Sequence, residues 1–375
     1  MIVTRQVFLL SAAILAASIL PAAGQSQASS TQTVIARGLQ GPRGLKFGPD
    51  GMLYVAEAGT AGTNSTVGTC QQVAAPVGPY KGGRTARISR IDKAGNRTTV
   101  ASGFPSSMDG LGGFEGVADL TFLDGTLYAL IAGGGCSHGV PNLPNAVVSV
   151  NTKNGSWKEV ANLSKFIKNH PVKYPNPEDF EPDGTFYSMV AYRNELWLTE
   201  PNHGQVLRVQ RDGDIFSAID VSASQGHIVP TAITERDGEF ILGNLNTFPI
   251  EPNFARIQTL SFTECSRNFI PGLQDEGGIG KLHIVGSKAG FTTVVGTDFG
   301  PDGLLYVLEL SAAPGNPTPG KGKVVRVRAN GTIEVVAAGL SVPTAMTFGP
   351  DGNLYVSNFG AAPPGAGQIV KIRVW

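Results

Sequence analysis

The chain has 375 residues and carries 29 basic and 29 acidic side chains, so its net charge is zero. That balance argues against a protein that holds nucleic acid or an anionic membrane through its overall field. The 49 glycines and 25 prolines favour strands and tight turns over helices, and the length allows two average domains or one large closed β structure.

The N-terminus predicts export. Arg5 precedes an apolar run from Val7 to Leu20, and small residues follow it up to Gly24. This order is typical of a secretory signal peptide spanning residues 1–24, with cleavage as late as Ala28 as a variant. An uncleaved anchor is the alternative, but this run is short for a span of about 20 residues. We therefore expect a periplasmic or secreted protein with no integral membrane span after cleavage.

A repeated motif organises residues 29–375. The pattern Phe-Gly-Pro-Asp-Gly-x-Leu-Tyr-Val begins at Phe47, Phe299 and Phe348, and degenerate copies lie at 122–128, 192–198 and 235–242. Each copy predicts two short strands joined by a tight turn, because Asp-Gly or Asn supplies the positive φ of a hairpin. A third, alternating strand follows each copy. These third strands are predicted at Ala86–Ile91, Ala146–Val150, Gln205–Val209, Ala255–Leu260, Lys323–Val327 and Gln368–Val374.

Six such four-stranded units predict an all-β fold, a six-bladed β-propeller. The last unit ends on its third strand, whereas Thr33–Leu39 is a fourth strand without a unit and resembles Val335–Leu340. We therefore predict that the N-terminal strand completes the last blade. Two separate three-repeat sandwiches, the alternative, would not explain this split unit.

The connections between strands differ greatly in length. Long ones are predicted at Ala58–Thr85, Gly133–Asn145, Asn162–Asp183, Asn244–Phe254 and Leu310–Gly322. Alternate connections of an up-and-down blade lie on the same face of the disc, so these loops should share one face, around the mouth of the central channel. Long loops on a rigid scaffold are where binding sites usually lie.

Three anchor segments carry a family resemblance: residues 38–59, Gly243–Pro249 and Val342–Val356. They resemble the exported propellers of the ScyD/ScyE family over about residues 34–375, and the repeats more distantly resemble NHL repeats and the propellers of gluconolactonases and streptogramin lyase. The resemblance implies the fold. It supplies no catalytic residues, since the family has no settled ones.

The residue that ends each second strand is acidic or an amide in five of the six units. We call these five the ring residues: Glu57, Glu200, Asn244, Glu309 and Asn358. Ile131 occupies the sixth position. As a ring at the channel mouth, Glu57, Glu200, Asn244 and Glu309 are candidate ligands for Ca²⁺ or another divalent cation. The interpretation that we favour is structural, with each side chain tying loop backbones together.

Other candidate residues lie in or near the predicted loops. Asp109 and Glu115 flank a glycine-rich segment and would reach the channel, although a plain tight loop is an equal alternative. His203 follows Glu200 by three residues, and such a pair is a candidate general base. His138 and His227 belong to the same predicted face. We find no support for a serine nucleophile.

The three cysteines cannot form a disulfide framework. Cys70 and Cys136 lie in long loops of neighbouring units, and they either pair in an oxidising compartment or stay free. Cys265 is left over.

Two functions fit these features. The first is a monomeric, exported, non-enzymatic propeller that binds a small molecule, glycan or protein on the long-loop face or serves as a scaffold. The second is a metal-dependent hydrolase or lyase of the lactonase type.

Overall fold

Six antiparallel sheets make up the chain in the computed structural model, which describes residues 31–263 and 281–374. The first sheet contains β2 (Pro42–Phe47), β3 (Leu53–Glu57), β4 (Lys81–Ile91), β5 (Arg97–Met108) and the short edge strand β6 (Phe114–Glu115). The second contains β7 (Val117–Leu123), β8 (Thr126–Ile131), β9 (Ala146–Val150) and β10 (Trp157–Asn162). The third contains β11 (Met189–Tyr192), β12 (Glu195–Glu200), β13 (Gln205–Val209) and β14 (Ile215–Asp220).

The other three sheets follow the same order. They contain β15 (Pro230–Arg236), β16 (Glu239–Asn244), β17 (Ala255–Phe262) and β18 (Leu282–Phe291), then β19 (Val294–Phe299), β20 (Leu305–Glu309), β21 (Gly322–Val327) and β22 (Ile333–Leu340), and finally β23 (Ala345–Phe348), β24 (Leu354–Asn358), β25 (Gly367–Ile372) and β1 (Gln32–Leu39). The first strand of each blade lines the central channel. The prediction of a six-bladed propeller is confirmed.

The ring closes as predicted. β1 pairs antiparallel with β25, from Gln32 opposite Ile372 to Leu39 opposite Gly367. The blade formed by the two ends of the chain therefore has four strands like the others, and closure removes the exposed edges that an open repeat would leave.

The repeated motif encodes both the hairpin and the contact between blades. In the first copy Asp50 accepts hydrogen bonds from the Met52 amide at 3.1 Å and the Tyr54 hydroxyl at 2.9 Å. The Tyr54 ring then packs edge-on against Phe122 of the next blade, with centroids 5.1 Å apart. A Cβ on Gly48 would lie 2.6 Å from the Tyr54 ring, so only glycine fits there.

Two elements differ from the sequence prediction. The connection from Asn162 to Asp183 is not all loop, because it contains helix α1 (Leu163–Asn169), whose first turn is capped by Asn162 accepting from the Lys165 amide at 2.9 Å. The hairpin of the first blade is also longer than predicted, since β4 begins at Lys81, inside the predicted loop.

The other helical segments of the described residues are short, namely α2 (Ser222–Gln225) and a 3₁₀ turn at Pro177–Asp179. Within the described ranges, none of the helices is long and apolar enough to cross a membrane. The predicted signal peptide, residues 1–24, lies outside the described residues, as does Cys265.

Candidate functional site

The ring residues lie where predicted, at the end of each second strand, and all five are buried. Glu57 shows what they do. One of its oxygens accepts from the amide of Gln40 at 2.7 Å, and Arg87 donates two hydrogen bonds of 2.9 Å to the carboxylate. Gln40 lies in the turn that enters the same blade. Glu57 therefore ties this entry turn to the middle of its own sheet.

The two amide members make the same kind of tie. Asn358 accepts from the amide of Ser341 at 2.7 Å. Asn244 accepts from the amide of Arg256 at 2.9 Å and donates to the carbonyl of Ile228 at 3.0 Å. Ser341 and Ile228 both precede the first strand of their blade. These contacts agree with the interpretation favoured from the sequence, in which each ring residue holds loop backbone through hydrogen bonds.

The other two acidic members are buried beside a cation or an amide. The ammonium of Lys323 lies 3.2 Å from Glu309, and Glu200 accepts from the amide of His203 at 2.9 Å. Burial raises the pKa of both carboxyl groups, and Lys323 and His203 offset part of that effect.

In this arrangement the side-chain oxygens of the ring residues do not form a ligand set for a hard cation. Ca²⁺ takes six to eight oxygen ligands, whereas oxygens of Glu57, Asn244 and Asn358 already accept from backbone or guanidinium groups. Within residues 31–263 and 281–374, no three His, Cys, Asp or Glu side chains are grouped so as to hold a metal ion. Metal binding at the channel mouth stays a prediction.

Inside the channel, a cavity of about 50 Å³ is lined by Arg43, Glu115, Asp119 and Tyr187. Arg43 lies 3.4 Å from Glu115 and also donates to the carbonyl of Phe114. The Tyr187 hydroxyl donates at 2.8 Å to the carbonyl of Thr344, which precedes β23 on the other side of the channel. Glu115 therefore reaches the channel as predicted.

Asp109 does not line this cavity, although its charge acts on Arg43 and Glu115, which do. Its carboxylate accepts from the amides of Leu111 and Gly113, both at 2.8 Å, within its own turn. Of the two alternatives for this segment, Asp109 makes the contacts of a plain tight loop.

Asp119 is a half-buried carboxyl group between two inner strands. It accepts from the amide of Met189, in the next blade, at 2.7 Å and from that of Leu120 at 2.8 Å. Gly44 leaves it room, since a Cβ there would lie 1.9 Å from the Asp119 oxygen. Burial raises the pKa of Asp119 to about 6, more than these hydrogen bonds lower it.

A buried network joins three of the long loops. His138 lies 2.7 Å from the carbonyl of Gly134 through Nδ1 and 3.0 Å from Glu181 through Nε2. The Tyr80 hydroxyl donates to the other Glu181 oxygen at 2.8 Å. Both neighbours of the imidazole are acceptors, so this geometry favours the imidazolium, which donates from both ring nitrogens. Burial alone lowers its pKa, but Glu181 outweighs burial and raises it.

A second carboxylate anchors the same region. Asp183 accepts from the amide and the hydroxyl of Ser137, both at 2.7 Å, and lies 2.7 Å from the Lys168 ammonium. Gly135–Gly139 has the Gly-x-Ser-x-Gly spacing of a nucleophile elbow. Ser137 is fully buried in a loop and donates to Asp183, so it is not placed as a nucleophile.

Cys70 and Cys136 form a disulfide, with an S–S distance of 2.09 Å and Cα atoms 6.3 Å apart. The bond joins the long loop of the first blade to that of the second. The hydroxyl of Thr66 donates to the carbonyl of Cys136 beside it. Asn64, in the long loop of the first blade, exchanges backbone hydrogen bonds with Gly82 of β4.

A pocket of about 400 Å³ lies where these loops meet, and we call it the loop-face pocket. Its apolar wall is formed by Ile167, Pro171, Val172, Pro175, Phe180 and Pro182. The disulfide, Gln71, Lys168, Asp183 and His203 complete the lining. Its volume falls within the range of small-molecule sites.

His203 is the buried histidine of this lining. Only 6% of the residue is exposed, its Nδ1 lies 3.3 Å from Glu200, and its ring packs on Phe180 with centroids 4.9 Å apart. Its Nε2 is buried and has no hydrogen-bond partner among the described residues. The structure thus brings together Glu200 and His203, the pair named from the sequence.

Sequence reasoning missed Tyr80, Lys168, Glu181 and Asp183. A signal was present, because Pro175–Asp183 holds four acidic residues in a chain with only 15% charged residues. Two of the histidines on the loop face bind this run, His138 through Glu181 and His227 through Asp179 at 2.7 Å.

By sequence, the chain matches no protein-family model and no curated protein. Its structure is similar to that of a streptogramin B lyase, at 16% identity and a TM-score of 0.50, over 94% of this chain and 100% of that chain. It is also similar to a gluconolactonase from Xanthomonas campestris, at 10% identity and a TM-score of 0.54, over 93% and 91% of the two chains.

A third similar structure is the PQQ-bound form of an aldose sugar dehydrogenase from Streptomyces coelicolor, at 14% identity and a TM-score of 0.53, over 92% of this chain and 98% of that chain. The three proteins are named for different chemistries. At such low identity they show that this chain shares the six-bladed propeller fold with gluconolactonases and streptogramin lyase, and the fold is compatible with many functions.

Proposed function

We propose that this chain is an exported propeller of the ScyD/ScyE type that binds a small molecule in the loop-face pocket. The observation that carries the proposal is the pocket itself, about 400 Å³ with an apolar wall and a buried histidine in its lining. Pockets of this size with few polar groups are the usual sites for small ligands.

The disulfide supports export, since such bonds persist in oxidising compartments. Expression of the full chain in a bacterium with a periplasm tests this part. We expect the mature protein in the periplasm or the medium, with the mass of a chain whose first residue is Gln25 or Ser29. Full-length protein retained in the cytoplasm or membrane would contradict it.

Thermal unfolding in the presence of a small-molecule library tests the binding function. A ligand that binds only the folded state at 100 times its Kd raises stability by about 2.7 kcal/mol. Val172→Trp fills the pocket and should abolish the shifts, because Val172 lines it. Val285→Trp is the matched control, since Val285 is 51% exposed on β18, outside the lining. Shifts that survive Val172→Trp would place binding elsewhere, and no shifts at all would favour a glycan or protein partner.

One observation favours a hydrolase or lyase as the second candidate. In the Glu200–His203 pair the carboxylate lies 3.3 Å from Nδ1, and Nε2 has no hydrogen-bond partner among the described residues, a pairing that suits an oriented general base. The metal-dependent form of this candidate also requires ring residues to leave their present backbone partners.

Turnover separates the two candidates. If the chain is an enzyme, lactones or cyclic esters are cleaved, and His203→Gln removes the activity while leaving unfolding unchanged. Dialysis against a chelator, followed by addition of Ca²⁺, then tests the role of a metal. Absence of turnover with an intact pocket favours the binding protein.

A further inference from the structure

We propose that the loop-face pocket binds a mainly apolar carboxylic acid, with its carboxylate against the ammonium of Lys168 and its apolar part against the proline-rich wall. This inference rests on the proposed binding function and adds the chemical class of the ligand to it.

The wall of the pocket determines the apolar part of the ligand. Six lining side chains are aliphatic, aromatic or proline, and the disulfide adds further apolar surface. Burial of apolar ligand surface against such a wall is the main source of affinity. Ile167 belongs to this wall, and Lys168 follows it in helix α1. Consecutive residues of one helix therefore supply apolar surface and a cation to the same pocket.

The two charged side chains of the lining differ in exposure. The side chain of Lys168 is 50% exposed, whereas that of Asp183 is only 3% exposed. Asp183 also accepts from the amide and the hydroxyl of Ser137 and from Lys168, each at 2.7 Å. The accessible charge of the lining is therefore positive, and it suits an anionic group of the ligand better than a cationic one.

Lys168 can bind an anion and keep its contact with Asp183. An ammonium group has three N–H donors, and the hydrogen bond to Asp183 occupies one of them. A ligand carboxylate can accept from another, since half of the side chain is exposed. Hydrogen bonds between two charged groups are roughly twice as strong as those between neutral groups. A carboxylate should therefore bind more tightly than an uncharged group of the same shape.

Gln71 brings a second donor to the pocket. It is an exposed residue of the long loop of the first blade and belongs to the same lining. Its side-chain amide has two N–H donors, which suit the second oxygen of a carboxylate. Like the ammonium, it accepts no proton-donating ligand in preference to an anion, and it carries no negative charge that would repel one.

The experiment compares molecules that share a carbon skeleton and differ in charge. Adamantane and naphthalene are each taken as the carboxylate, the carboxamide and the aminomethyl cation. All six are titrated into the full mature protein by calorimetry at about pH 7.5, where carboxylic acids are ionised and lysine is protonated. We expect each carboxylate to bind on the order of fivefold more tightly than its carboxamide, the effect of a half-exposed ion pair, and each cation to bind most weakly. Added salt should reduce the preference by screening.

Substitutions at two lining positions test the placement of the carboxylate. Lys168→Met should remove the preference and leave the carboxamides bound, whereas Lys168→Arg should retain it. Lys165→Met is the matched control, because Lys165 is an exposed lysine of the same helix outside the lining. Gln71→Lys and Gln71→Glu leave the pair of Lys168 and Asp183 intact. They should strengthen and weaken carboxylate binding respectively, and they keep the test available if Lys168→Met does not fold.

Each outcome bears on the proposal. Equal binding of carboxylates and carboxamides, tighter binding of the cations, or a carboxylate preference that survives Lys168→Met overturns the inference. If carboxylates and carboxamides bind equally and Val172→Trp abolishes both, the binding function stands and only this inference fails. Binding of none of the six molecules also overturns the inference, and library shifts that Val172→Trp abolishes would then still support the binding function.

Discussion

The hydroxyl of Tyr80 donates to the carboxylate of Glu181 at 2.8 Å, although 101 residues separate the two in sequence. Tyr80 comes from the long loop of the first blade, and Glu181 from the segment before the third. His138, from the second blade, binds the same carboxylate. The loop-face pocket therefore stands on a polar anchor to which three blades contribute.

Glu181→Gln should destabilise this anchor strongly. The substitution removes the carboxylate that is hydrogen-bonded to the buried His138 imidazolium, a loss of about 3–5 kcal/mol. Urea denaturation measures the change, and Glu178→Gln serves as the control because Glu178 is an exposed acid of the same segment. Equal stabilities for the two variants would show that the pair contributes nothing.

The same pair predicts how stability depends on pH. The pKa of Glu181 in the folded state is lowered below 4.5. Its contribution to stability is therefore lost as pH falls through that folded value. His138 has a folded pKa above 6.5, so its contribution is full below 6.5 and is lost as pH rises through the folded value. We expect the difference in unfolding free energy between wild type and His138→Gln to be largest between about pH 4.5 and 6.5. A difference that grows above that window would contradict the imidazolium.

The repeat was readable from sequence because its contacts are local. Asp50 and Tyr54 meet within one hairpin, and the spacing that joins them recurs along the chain. The positions of the ring residues followed from the same register. The backbone partners of the ring residues could not be predicted, and neither could the hydrogen bond between Tyr80 and Glu181. Sequence spacing carries no information on which distant loops meet.

Asp119 predicts a second pH effect of opposite sign in the acid range. Its folded pKa of about 6 lies above the ordinary 3.8, so the folded state binds the proton more tightly. Stability should therefore fall as pH rises from about 4 to 6, and Asp119→Asn should remove that component. Asp298→Asn is the matched control, since Asp298 accepts from the amides of Phe299 and Phe348 in the same way, at 2.9 and 3.0 Å. An unchanged pH profile in Asp119→Asn would contradict the raised pKa.

Removal of residues 29–40 should prevent stable folding. The deletion takes away β1, which pairs along β25 and completes the last blade, so both that blade and the ring lose their closure. Circular dichroism and urea denaturation of the shortened chain measure the effect, against a chain that lacks only residues 1–28. A soluble, cooperatively unfolding product from the shorter chain would show that the ring holds without this strand.

The disulfide predicts the thiol content of the exported protein. Cys70 and Cys136 are bonded, so denatured but unreduced protein should contain one titratable thiol, that of Cys265, and reduction should raise the number to three. In the chain-entropy model a loop of this length stabilises the fold by on the order of 4 kcal/mol, less any native strain. Since the blades already hold both ends, we expect Cys70→Ser with Cys136→Ser to affect the loop-face pocket first. Relative to wild type, this double variant should show a larger increase in hydrogen exchange in the first blade's long loop than in β3 and β4. Three titratable thiols in the unreduced wild-type protein would show that packing alone holds the two loops together.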